Sequence, residues 1–198
     1  MPLYNFNFGT KANNLDFLRK YLETGKVCSS YIFNAKDWEN KKDLIYSEIV
    51  QKYPNKLIIV RSSADSEDSQ ESSFAGKYLS LLEVSSNIKD EVIKAINQVI
   101  NSYGENISNK DQVLIQPFIG NISVSGVVFS HDLTSGSPYY VINYDDKSGL
   151  TDTVTGGSKT DLSTLKVLRN CFELEMKEVW QTNLLRAIKE IEEYLLLD

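Results

Sequence analysis

The chain of 198 residues carries 21 Lys plus Arg against 27 Asp plus Glu, a net charge of −6, with 41% hydrophobic and 24% charged residues. This is globular composition. It excludes disordered, collagen-like and coiled-coil readings, and a chain of this length can bury a core without staples.

No stretch reaches the roughly 18 uncharged apolar residues of a membrane-spanning helix, and the start MPLYNFNFGTK has no basic flank leading into an apolar run. The expectation is a cytoplasmic protein with no membrane partner. An acidic chain is also a poor general ligand for nucleic acid, although a local basic pocket for a phosphate group stays open. Cys28 and Cys171 are too few for a disulfide framework and lack the clustered spacing of a zinc site.

In chain order, residues 12–24 place Leu15, Leu18, Tyr21 and Leu22 on one helical stripe, with Asn13 or Asn14 as cap and Gly25 as terminator. Val27 to Phe33 alternates weakly, as a short strand. A helix opened by Asn34 or Asp37 then carries Trp38, Ile45, Ile49 and Tyr53 on one side until Pro54 stops it. LIIVR (57–61) is a continuous apolar run of strand length. After the strand candidate YLSLLEV, residues 88–103 repeat Ile88, Val92, Ile96, Val99 and Tyr103 at helical spacing. QVLIQPFI (112–119) and ISVSGVVFS (122–130) read as a hairpin closed by Gly120-Asn121. YYVINYD (139–145) is a third strand, the polar stretch 147–164 follows, and Leu184, Ile188, Ile191 and Leu195 mark a last amphipathic helix. Its Glu190, Glu192 and Glu193 are expected on a solvated face. The joint between two lobes is expected at 105–110, dividing the chain into 1–108 and 109–198.

The segment from Arg61 to Gly76 changes character abruptly, with six serines and four acidic residues. Polar loops of that length within a domain commonly bind something or are disordered. An Arg at the end of a buried strand, facing serine hydroxyls and backbone amides, offers what a polyphosphate needs. Asp65, Glu67, Asp68 and Glu71 would repel a phosphate, so a solvated loop, or acids holding a metal ion, stay as alternatives.

The window LIIVRSSADSEDSQESSFAGKYLSLLEV resembles the nucleotide-binding segment of phosphoenolpyruvate synthase and pyruvate phosphate dikinase, VRSSATAEDxxxxSFAGQxxTxLNV, through Val60 to Ala64, Glu67, Asp68 and Ser73 to Gly76. GTKANNLDFL is similar to that family's GGKGANLAEM, which aligns Lys11 with its nucleotide-binding lysine, although Thr10 and Ala12 replace glycines. VLIQPFIGNISVSGVVFSHDLTSG resembles VxVQxMVxxxxSGVxFTxxPxTG. The resemblance implies an α+β, ATP-grasp fold in which two lobes hold ATP. By position, Lys11 and Arg61 would bind the triphosphate as the catalytic cations. Ser73, Phe74, Ala75 and Gly76 would form a lid, and the backbone at Gln116, Pro117 and Phe118 would face adenine. Two fixed cations suit charge spread over phosphoryl oxygens, and a lid excludes water.

The resemblance also implies Mg²⁺. The family's metal-binding Glu aligns with Asn143, which with Asp145 or Asp146 becomes the expected metal site, Asp152 being the spare. The arginine after the family's VSG segment has no match, Lys159 being the nearest cation and a weaker substitute. His131 aligns with a turn and not with the family's phosphorylated histidine, so a structural role is expected for it. In the family, phosphate passes from ATP to a histidine on a separate swivelling domain and then to a small acceptor. The expectation is therefore an N-terminal, C-terminally truncated ATP-binding portion of such a phosphotransferase, inactive alone. The stretch YYVINYDDKSGLTDTVTGG resembles capsule-locus relatives, among them an L-glutamine kinase, which favours L-glutamine over pyruvate as acceptor. The alternative is a non-catalytic nucleotide-binding or interaction module.

Overall fold

The computed structural model describes residues 9–64, 79–151, 162–171 and 176–195. Along the chain these form α1 (Lys11–Tyr21), β1 (Tyr31–Asn34), α2 (Trp38–Lys52), β2 (Leu57–Ser63), β3 (Ser80–Ser85), α3 (Lys89–Asn101), β4 (Gln112–Pro117), β5 (Ser125–Phe129), β6 (Tyr139–Asp145), β7 (Ser163–Leu168) and α4 (Val179–Leu195). They divide into two units, Lys26–Phe118 together with α1, and Leu22–Gly25 together with the chain from Ile119 onward. The architecture is mixed α/β with wholly antiparallel pairing in each sheet.

In the first unit the strand order is β1-β4-β2-β3. Side chains alternate between sheet faces, and one face carries the core: Phe33, Val113, Ile115, Ile58, Val60 and Val84 pack with Trp38, Ile45 and Ile49 of α2 and Val92, Ile96 and Val99 of α3. Full burial of each such aliphatic side chain contributes roughly 1.5–3 kcal/mol. Trp38 is 1% exposed yet satisfied, its indole N–H donating to Asn97 Oδ1 at 2.7 Å. The register then forces a different row onto the opposite face, where Ile32, Leu114, Arg61 and Ser80 lie side by side across the four strands.

The second unit is a three-stranded sheet, β5-β6-β7, with Tyr140, Ile142, Val167 and Leu185 of α4 at its centre. Gly126 has no room for a side chain, since an added Cβ would lie 2.5 Å from the Asn143 carbonyl. Glu192 of α4 is buried. It accepts both Arg169 guanidinium nitrogens, at 2.6 and 3.0 Å, and the Tyr140 hydroxyl at 2.9 Å, while Arg169 also covers the Tyr140 ring at 4.8 Å. The Glu190 carboxylate accepts the Glu23 and Thr24 amides at 2.6 and 2.8 Å and the Thr24 hydroxyl, which anchors Leu22–Gly25 in this unit.

Several expectations change. The 112–130 hairpin does not form. β4 is flanked on both edges by β1 and β2, so β5 has no free edge to join and pairs with β6 instead. Asn121 does take the left-handed φ of 54° that a turn signal implies, but the turn leads away. For the same reason the division falls after Phe118 and not at 108–109: β4 is interior to the first sheet. The polar stretch 147–164 ends in a strand, β7, whose Val167 and Leu165 lie opposite Tyr140 and Ile142. The Arg61–Gly76 segment starts as strand, because β2 runs on through Ser63. Glu192, expected in solvent, is 7% exposed.

The packing at Gly126 and the bond at Tyr140 can both be tested. Gly126→Ala overpacks β5 against β6 and should cost about 1–3 kcal/mol in chemical denaturation. The Tyr140 hydroxyl is pushed up from 10.0 to about 12 by burial and then by its bond to, and the charge of, Glu192. Its folded pKa is raised, so its contribution is complete below pH 10 and is lost as pH climbs from 10 to about 12. Denaturation midpoints of wild type should therefore fall across that window by more than those of Tyr140→Phe.

Candidate functional site

The candidate site is organised from the first turn of α1. Thr10 caps it, its carbonyl accepting Asn14 N at 3.0 Å and its hydroxyl accepting Asn13 N at 3.4 Å. Asn14 Oδ1 takes the Gly9 amide at 3.0 Å, so the approach to the helix is also tied. Ala12 is fully buried, and its amide donates to Ser63 Oγ at 2.9 Å. One of the orphan donors of the helix start is thereby satisfied by a residue 51 positions away.

Ser63 is held in turn. Its own amide donates to Tyr103 Oη at 3.1 Å, the Tyr103 hydroxyl donates to the Gln112 carbonyl, and Gln112 Oε1 accepts the Thr10 hydroxyl at 2.6 Å. Ser63 and Gln112 are also direct cross-strand partners. The bonds close a ring that passes through the backbone of Thr10, Lys11 and Ala12. Lys11 is the middle residue of that backbone stretch.

Arg61 stands two residues before Ser63 on β2, and therefore on the same face. It is half-buried, and its cross-strand neighbours Leu114 and Ser80 are uncharged. Gln116, opposite Ile59, shares this face and is 8% exposed. A groove of about 430 Å³ lined by Asn13, Asp16, Phe17, Lys20, Tyr21 and Ile32 runs beside α1, and Ile32 is the β1 member of the Arg61 row. The structure thus brings the segments bearing Lys11, Arg61 and Gln116 onto one side of the first sheet. Pro117 pairs opposite Ile58, and the Phe118 amide donates to the Leu57 carbonyl at 2.9 Å, so that amide serves the sheet. Ser73, Phe74, Ala75 and Gly76 lie outside the described residues, as do Asp152 and Lys159.

Asn143 and Asp145 occupy one face of β6 in the second unit. Asn143 Oδ1 accepts the Thr164 hydroxyl at 2.8 Å. Asp145 is 4% exposed, and its carboxylate accepts the amides of Lys147 and Ser148 at 2.9 Å each and the Ser148 hydroxyl. These three bonds close the carboxylate's own turn. A hard divalent cation needs oxygens turned toward it, and as arranged this pair does not fit one; no group of three His, Cys, Asp or Glu that would hold a metal occurs among the described residues. His131 sits half-buried in the segment after β5, and Cys28 and Cys171 are separate free thiols.

Sequence reasoning missed Tyr103 and Gln112. Tyr103 was legible only as the last apolar position of a helical stripe and Gln112 only as the start of a strand. The hydroxyl on one, and the polar head on the other, were the signals available.

An uncharged row crossed by one guanidinium, beside a helix start with a lysine at its first position, is an arrangement whose donors can receive an anion. The model of the family described as pyruvate phosphate dikinase, AMP/ATP-binding domain, matches residues 35–170, and the chain belongs to that family. No curated protein matches it. Arg61, Gln116 to Phe118, Asn143 and Asp145 fall within the matched span, and Lys11 precedes it. ATP or AMP binding, as part of a phosphotransferase related to that dikinase and to phosphoenolpyruvate synthase, is the function this membership carries. Among the described residues, no helix is long and apolar enough to cross a membrane.

The turn at Asp145 gives a test of its role. Asp145→Ala leaves two loop amides without their acceptor and should cost about 1–3 kcal/mol of stability, measured by denaturant unfolding. Added Mg²⁺ should shift the wild-type and variant midpoints equally.

Proposed function

We propose that this chain is the ATP-grasp-type, ATP-binding portion of a phosphoenolpyruvate-synthase-like phosphotransferase, with Lys11 and Arg61 gripping the polyphosphate. The observation that carries the reading is the bond from Ala12 N to Ser63 Oγ, which joins the lysine-bearing helix start to the arginine-bearing strand. Membership in the dikinase AMP/ATP-binding family supports the ligand. The physical logic is electrostatic: Arg offers a rigid fork of donors to phosphate oxygens and Lys a movable point charge. Held in fixed positions, both stabilise charge on a transferring phosphoryl group without reorganising.

In this reading Ser73 to Gly76 cover the phosphates and the Gln116 to Phe118 segment meets the base. Mg²⁺ accompanies the nucleotide and neutralises phosphate charge when bound; Asn143 and Asp145 are not assigned to it. The phosphoryl group goes on to a histidine of a swivelling domain of the same parent enzyme and then to a small acceptor. The departure of YYVINYDDKSGLTDTVTGG from the synthase pattern supports L-glutamine over pyruvate in that place.

Isothermal titration of the full chain with ATP and Mg²⁺ tests the proposal. Wild type should bind. Arg61→Ala and Lys11→Ala should each weaken binding about 10- to 100-fold, the loss expected for a charged hydrogen-bonding partner, with little change in melting temperature. Absence of binding by a folded wild type, or affinity indifferent to both substitutions, overturns it in favour of a non-catalytic module.

A further inference from the structure

We infer that Ser63 is a positioning residue for Lys11: its hydroxyl sets where the lysine stands relative to Arg61, and Tyr103 and Gln112 hold the hydroxyl in place. The inference rests on the nucleotide reading above and adds to it what Ser63, Tyr103 and Gln112 do for the lysine.

The geometry is a closed circuit. Ala12 N–H donates to Ser63 Oγ at 2.9 Å, Ser63 N–H donates to Tyr103 Oη at 3.1 Å, Tyr103 O–H donates to the Gln112 carbonyl, and Thr10 O–H donates to Gln112 Oε1 at 2.6 Å. Four elements meet in it: α1, β2, β4 and the turn after α3. The only covalent stretch that closes the circuit is Thr10-Lys11-Ala12, so the backbone of Lys11 is gripped on both sides. Arg61 and Ser63 share one face of β2, about 7 Å apart along the strand. Moving the Ser63 contact therefore moves the lysine with respect to the guanidinium.

Energetics favour a stiff arrangement. Ser63 is fully buried and Ala12 likewise, so neither partner of the central bond can exchange it for water. A buried amide left without an acceptor carries a desolvation cost, which keeps the pair closed. Linked hydrogen bonds in a low-dielectric site also reinforce one another. A cation placed about an ångström away from its productive position loses much of its value in phosphoryl transfer.

A double-mutant cycle on the full chain, read by titration with ATP and Mg²⁺ and by thermal melting, tests this. Ser63→Ala should weaken ATP binding about tenfold in the wild-type background and less than about twofold when Lys11→Met is already present, because the positioning then has no lysine to act on. Tyr103→Phe, which keeps the ring, should show the same dependence on Lys11 with a smaller loss, and serves if Ser63→Ala does not fold. Equal losses in both backgrounds, or a fall in melting temperature with unchanged affinity, would give Ser63 a purely structural role and overturn the inference while the nucleotide reading stands. A folded wild type that does not bind ATP removes both.

Discussion

Ala12 lies where no water reaches its amide, and the hydroxyl of Ser63, from a strand far away in sequence, is what that amide meets. The placement of α1 against the first sheet hangs on this contact. A helix start exposes donors that have no partner within the helix, and capping by a side chain of another element turns that local deficiency into a long-range tie. Thr10 supplies the ordinary local cap while Ser63 supplies the distant one. The result is that α1 has one place to begin, and Lys11 is part of that place.

The sheet beneath gives the contact its footing. β4 is bordered on both sides, which makes the strand sequence QVLIQP apolar where it meets α2 and α3 and mixed where it does not. The division of labour between faces follows from the two-residue period alone: Val113 and Ile115 serve the core, while Gln112, Leu114 and Gln116 fall on the side of Arg61 and Ser63. A one-residue slip of β2 against β4 would exchange these roles and turn the guanidinium toward Trp38, Ile49 and Ile96. The apolar pattern that stabilises the fold therefore also fixes the orientation of the charged residue.

Much of this was legible in residue order, and the reasons for the exceptions are physical. Helical stripes such as Val92, Ile96 and Val99 announce themselves because burial selects apolar residues at a fixed period. Arg61 stands out because a charge at the end of an apolar run needs a reason. The 112–130 segment misleads because turn chemistry at Gly120-Asn121 is local whereas pairing is decided by which strand edges are already taken. Glu192 misleads in a related way: periodicity registers apolar positions only, and its burial depends on Arg169 and Tyr140, which no helical spacing reveals. The ring through Ser63, Tyr103 and Gln112 joins polar atoms from segments up to about a hundred positions apart, such as Thr10 and Gln112, and each of its members taken singly is an ordinary residue for its element.

The short connection between α1 and β1 has an architectural consequence. Leu22–Gly25 belongs with the second unit, where Glu190 receives its amides, although α1 before it and β1 after it belong to the first. The polypeptide therefore visits the later unit and returns before the earlier one is complete. A piece ending at Phe118 would carry this four-residue stitch without the carboxylate that receives its amides.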